Sequence, residues 1–348
     1  MGTVTGQSRR KTGPSIEDVA RLAGVSAQTV SRVSTGANPV RPETKARVVA
    51  AMAQLGYSPN RAARALRNGS FSTLGVLAHR YERTGEMLTT GAVVKAAEAA
   101  GYAVTLLSIE DEHVDAESWE HAVHRISNQA VDGLIIIRAE EATPETLSLP
   151  AGMPVAVSDS RLVGHYPAVM ADAMHGVREA VSYLLGLGHR TVHHIAGPAD
   201  SEPALIRRGA WERALISAGI EAPPVWQGNW TPRSGYELGQ RIAADDAVTA
   251  VFAANDEMAL GLIRALHEAG RRIPDDISVV GFDGLALAEF SHPPLTTVRQ
   301  DFDQIGQELV DLVLTQMRAR GAAVARHDRV VVPTELVIRA STGPAPAR

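Results

Sequence analysis

Past residue 70 the hydrophobic pattern of this chain keeps switching period, and that alternation constrains the fold more than any other feature. Short apolar runs recur at 74–78 (LGVLA), 104–109 (VTLLSI), 134–137 (LIII), 155–157, 192–196, 250–253, 278–282 and 330–332. Between most of them lie stretches of helical spacing, at 91–100, 175–187, 208–218 and 258–269. Strands that alternate with helices imply parallel sheets flanked by helices. Eight such strands could form one wide sheet or two smaller ones.

The first 70 residues follow different rules. Ser15-Ile16-Glu17-Asp18 reads as a capping box, in which Ser15 caps the Asp18 amide and the carboxylate reaches back. The helix it starts runs through Val19, Ala20 and Ala23 and stops at Gly24, a suitable C′ residue. Ser26 then caps a second helix from Ala27 to Val33, so the two have the spacing of a helix-turn-helix. Val19, Ala23, Val25 and Val30 form the expected apolar seam, leaving Gln28, Thr29, Ser31 and Arg32 outside. A third helix opens with Pro42 at N1, carries Val48, Val49, Met52 and Leu55, and ends at Gly56.

Charge separates the same two parts. Residues 1–67 hold eleven Lys and Arg against only Glu17, Asp18 and Glu43, whereas the whole chain has a net charge of −5. A basic head on an acidic body is the asymmetry of a protein with one module facing phosphates. No run approaches eighteen apolar residues, so a membrane span is not expected. MGTVTGQSRRKTG has basic residues without an apolar h-region behind them, and with no cysteine in the chain a cytoplasmic protein is expected. His189, His193 and His194 crowd one segment, yet neighbours on a strand face opposite ways, so structural histidines are expected and no metal. GxGxxG, Walker, GxSxG and HExxH motifs are missing from the sequence. An enzyme is therefore not expected, nor is a cofactor.

IEDVARLAGVSAQTVSRV followed by YSPNRAARAL resembles the DNA-binding head and hinge of the lactose-repressor (LacI/GalR) family of bacterial transcription regulators. The resemblance runs to about residue 340. It implies an α/β protein: a small all-α helix-turn-helix head plus a two-lobed, periplasmic-binding-protein-like domain with parallel sheets. The expected organisation is a DNA-binding domain at 1–57 (1–13 a flexible basic tail) and a hinge helix and linker at 58–70. An effector-binding and dimerisation domain at 71–340 and a disordered tail at 341–348 complete it.

In the family the second helix enters the major groove. By that resemblance the DNA-binding residues are Ser26, Ala27, Gln28, Thr29, Ser31 and Arg32, with Asn60, Arg61, Ala63 and Leu66 from the hinge. Gln28 offers a donor–acceptor pair suited to adenine and Ala27 can meet a thymine methyl. Arg32 can read guanine or clamp phosphate, while Thr29 and Ser31 suit phosphates. Leu66 matches a leucine that wedges into the minor groove, where unstacking is repaid by bending. Ser34-Thr35 and Arg41 depart from the family pattern; Arg41 stands where a Ser/Thr-type cap is usual.

Several polar residues fall where strands end: Asp159 in PVAVSD, Asn255-Asp256 in AVFAAND and Asp283 in SVVGFD. Open α/β sheets bind ligands at that edge. Arg207 opens the helix in ALIRRGAW, Trp230 lies in QGNW, and Phe302 follows RQD. The resemblance implies that Asp159, Arg207, Trp230, Asn255, Asp283 and Phe302 line an effector pocket; Asp256 reads as a helix cap. Carboxylates and an Arg fork suit a sugar's hydroxyls, and an aromatic face suits its C–H patch. Ile137-Arg138 departs from an Asn-Tyr pair in the family pattern. The expected partners are a near-palindromic operator in double-stranded DNA, a small sugar effector such as a galactoside, and a second copy of the chain. The STGPAPAR ending has none of the leucine heptads that would build a tetramer. A nucleobase corepressor sensor is the rival within the class. A transport-type sugar-binding protein, lacking the basic head, is the rival outside it.

Overall fold

The computed structural model describes residues 13–35, 40–58, 70–78, 81–108, 130–137, 147, 149, 152–158, 162–319 and 328–347. It divides into two compact units, 1–71 and 72–348. The hinge residues Asn60, Arg61, Ala63 and Leu66, and Asp159 and Arg138 of the body, lie outside the described residues.

The head is three helices, α1 (Ile16–Ala23), α2 (Ala27–Thr35) and α3 (Pro42–Leu55). Both halves of the Ser15–Asp18 capping box are formed. They hold the Asp18 carboxyl below the usual carboxylate range, the Ser15 hydroxyl being the largest cause and the Ser15 amide the next. Gly24 ends α1 at φ 66°, a left-handed conformation that costs a glycine little. The Val25 amide then turns back to the Ala20 carbonyl. Val19, Ala20, Ala23, Val30, Val48 and Ala51 are buried together, whereas Val49 faces solvent and belongs to no core.

The body contains two six-stranded sheets. The first has the order β11-β5-β4-β3-β1-β2, from β1 (Thr73–Ala78), β2 (Ala103–Ser108), β3 (Gly133–Ile137), β4 (Val155–Ser158), β5 (Ala168–Ala171) and β11 (Arg329–Val332). All its pairings are parallel. Strand β3 shows why its sequence is a continuous apolar run. Leu134 and Ile136 enter the core on one face, Ile135 and Ile137 the core on the other. Helix α4 (Thr84–Ala99) and the late helix α10 (Phe302–Ala319) cover the second of these faces.

The second sheet has the order β12-β10-β9-β8-β6-β7. Its strands are β6 (His193–Ala196), β7 (Trp226–Gln227), β8 (Ala250–Ala253), β9 (Ser278–Asp283), β10 (Thr296–Gln300) and β12 (Thr334–Val337). Only the β10–β12 pair is antiparallel. The helices here are α5 (Ala173–Gly186), α6 (Glu202–Ser217), α7 (Pro232–Ala243), α8 (Asp256–Glu268) and α9 (Ala286–Glu289). The chain passes between the sheets three times, at Asp172, at Asp301 and at Pro333. The Asp172 amide donates to Val332 O and the Thr334 hydroxyl to Asp172 O, so two of the crossovers are bonded to each other.

The expected disordered tail differs from what is found. Ser341 and Thr342 are buried, and Ser341 exchanges bonds with Val279 while its Oγ accepts from the Thr296 amide. His189, held between Thr249, Ser278 and the Gly343 carbonyl, pins the same segment. Short polar residues there satisfy backbone groups at the end of a sheet, a role that a Pro/Ala-rich composition conceals.

Candidate functional site

The head presents Gln28 and Arg32 one turn apart on the exposed side of α2. Ser26 accepts the Thr29 amide at 3.2 Å, as an N-cap should, and its hydroxyl pairs with that of Thr29 at 3.0 Å. Ala27, Thr29 and Ser31 are half-buried beside them. Arg41 occupies the N-cap of α3 without a side-chain bond.

In the second sheet, four of the expected effector residues converge. Arg207 is buried, a turn and a half inside α6 rather than at its start, because Pro203 lets the helix begin at Glu202. Its guanidinium donates to the Ala254 carbonyl at 2.6 Å and lies 3.4 Å from the Asp283 carboxylate. It also covers the Phe282 ring at 3.8 Å and sits 5.4 Å from Trp230. Gln300, a residue that the sequence reading passed over, donates to the same Asp283 oxygen at 2.8 Å. The only hint for it was its place at a strand end, in RQD.

Backbone strain accompanies this cluster. Trp230 has φ 72° and Asp283 φ 113°, a region that side chains other than glycine's avoid, at about 1–3 kcal/mol each. Trp230 lies flat against Gly197, where a Cβ would come within 2.4 Å of the ring. Asn255 supports it. Its Nδ2 donates to the Trp230 carbonyl at 3.0 Å while Oδ1 accepts the Met258 amide at 2.9 Å. Asn255 is therefore the cap of α8, and its amide is engaged at both ends.

The cap assigned to Asp256 is thus one residue off. Asp256 is buried and ties two strand ends together, accepting from the Leu285 amide at 2.7 Å and the Thr297 hydroxyl at 2.6 Å. Burial first, and the Asp283 carboxylate second, push its pKa up to about 8 against those donors. Phe302 is the first residue of α10 and packs against the core of the first lobe. It lines a cavity of about 630 Å³ beside the crossovers with Leu88, Gln300 and Thr334. Gln300 joins that cavity to the Arg207 cluster.

The three histidines have separate environments. His193 stacks on Trp226, and His194 packs between Trp211 and Phe252 with Nδ1 bonded to the Phe252 carbonyl. Complete burial pushes the His194 pKa down to about 4. Among the described residues there is no group of three or more His, Asp or Glu able to hold a metal ion, and no helix long and apolar enough to cross a membrane.

Residues 15–60 match the family model described as bacterial regulatory proteins, lacI family, and residues 181–342 match a periplasmic binding protein-like domain. The lactose operon repressor of Escherichia coli (strain K12) is 35% identical over 93% of this chain and 89% of its own length. The chain belongs to the lacI family. The HTH-type transcriptional repressor PurR of Histophilus somni (strain 129Pt) is 32% identical over 94% of this chain and 98% of its own. A crystal structure of the Lac repressor dimer bound to operator and the anti-inducer ONPF superposes with a TM-score of 0.82 at 31% identity. It covers 95% of this chain and 100% of that one. A helix-turn-helix head, two parallel-sheet lobes and repressor relatives along nearly its whole length make this a lacI-family DNA-binding transcriptional repressor.

Proposed function

We propose that this repressor binds a near-palindromic operator as a homodimer and releases it when a small sugar, a galactoside or a similar polyol, binds between the lobes. The observation that carries the effector reading is the buried Arg207–Asp283–Gln300 arrangement beside the Trp230 ring. It offers fixed charged and amide groups for adjacent hydroxyls next to one apolar face, at the edge where open α/β sheets take ligands. Asp159 and Phe302 are assigned to the same pocket by the family resemblance. Asn255 acts through Trp230 rather than by contact. On the DNA side Ala27, Gln28 and Arg32 read base edges and Ser26, Thr29 and Ser31 bind phosphates. Asn60, Arg61, Ala63 and Leu66 form a minor-groove hinge, two symmetric heads matching two half-sites. The coupling required is about 1–3 kcal/mol. No cofactor or catalytic step enters this reading, and the protein works in the cytoplasm.

Gel-shift titration of the full chain on a selected operator tests it, with one panel of mono- and disaccharides and one of nucleobases. Release by a sugar, lost in Arg207→Ala, is the expected result. Tighter binding with a nucleobase, or no response to any sugar, overturns it. Leu66→Ala should weaken operator binding at least tenfold more than binding to random DNA.

A further inference from the structure

The turn that carries Trp230 is gripped from both lobes. Two successive carbonyls of the strained turn accept hydrogen bonds from opposite sides: Trp230 O from Asn255 in its own lobe, and Asn229 O from the Arg83 guanidinium at 3.0 Å in the first. Beside it, the Thr84 hydroxyl donates to the Glu257 carboxylate at 2.6 Å, joining the first residue of α4 to the second of α8. Within the second lobe Asn229 organises the turn, accepting from the Thr231 amide and hydroxyl while its own amide donates to Ser234 Oγ.

The identity of residue 83 is itself a signal. Arg83 stands at the N-cap of α4, in extended backbone, and makes no capping bond. Ser, Thr, Asp or Asn would serve the helix better there. A local rule broken without local gain points to a role elsewhere, and here the side chain spans the gap to the other lobe. Trp230 holds a φ of 72°, so its conformation depends on what clamps the two carbonyls beside it.

We infer that Arg83 and Thr84 are positioning residues that couple the Trp230 wall of the second lobe to the approach of the first. When the lobes part, the Asn229 carbonyl loses its donor and the turn that carries the ring loses one of its restraints. When they meet, the ring is fixed. Effector affinity then depends on two residues that do not touch the effector, a consequence that rests on the function proposed above.

The full chain labelled with 5-fluorotryptophan and studied by 19F NMR without effector or DNA tests the contact alone, so its failure and that of the sugar reading are separable. The chain has four tryptophans, and Trp230→Phe assigns the signal. Arg83→Ala should move the Trp230 resonance by more than its line width and leave that of the core Trp211 in place. Thr84→Val should move it the same way by less. Arg83→Lys, which can still donate to a carbonyl, should restore it. Arg233→Ala, an exposed charge on the neighbouring helix paired only at 3.8 Å with Glu237, should change nothing. An unmoved Trp230 signal in Arg83→Ala and Thr84→Val, equal movement of Trp211, or no rescue by lysine overturns the proposal.

Discussion

Strand by strand, each sheet of the body has a counterpart in the other: β2-β1-β3-β4-β5-β11 in the first lobe, β7-β6-β8-β9-β10-β12 in the second. The outermost pair differs, parallel in one and antiparallel in the other. The chemistry differs far more. Strands β1, β3 and β4 end in buried Ala78, Ile137 and Ser158, whereas β9 and β10 end in Asp283 and Gln300 with Arg207 bonded between α6 and the strand ends. The same winding thus supports two duties. A charged and amide cluster sits on a strained platform in the second lobe, and the described part of the first contributes buried Glu86, Thr90 and Ser158 and the reach of Arg83 and Thr84.

The comparison breaks most readily at Arg207. Arg207→Ala leaves Asp283 buried with Gln300 and without its cation, and should lower the body's stability by about 3–5 kcal/mol in a urea titration. Arg207→Met with Asp283→Asn should recover at least half of that. A loss below about 1 kcal/mol for the single change would mean that the ion pair does not hold the platform. Acid should separate the lobes next. The His194 pKa is depressed to about 4, so its contribution is full above the ordinary value near 6.5 and disappears as pH falls toward 4. That is about 3 kcal/mol from the second lobe, read in an Asp256→Asn background because the raised Asp256 carboxyl takes up a proton on folding over the same window and offsets the loss. A melting transition that stays flat in that background would contradict the burial of neutral His194. The smallest effect lies outside both lobes. Arg41→Ser should add about 1 kcal/mol to the head by capping α3, seen as a rise of about 4–8 °C in its melting temperature with the body unchanged.

Much of this layout was legible in the residues. The continuous apolar runs, buried on both faces, located β1, β3, β8 and β9, and the head followed from Ser15, Gly24 and Ser26. Strands β5, β7, β10 and β12 were not legible. They are short, two to five residues, and β7 and β12 are outer strands with partly exposed positions, so no apolar run marks them. At the site, residue types could announce Arg207 and Asp283 but not the backbone of Trp230 and Asp283, since nothing local favours positive φ there. The place of the cap at Asn255 rather than Asp256 has the same origin: both can cap, and only the fold places Asp256 against Leu285 and Thr297.

The three crossovers at Asp172, Asp301 and Pro333 also decide how the body behaves when cut. A protease that nicks one of them leaves two intact tethers, and each severed end belongs to a strand paired in its sheet or to a helix packed in the body. The nicked body should therefore run as two fragments on a denaturing gel and as a single species on a sizing column.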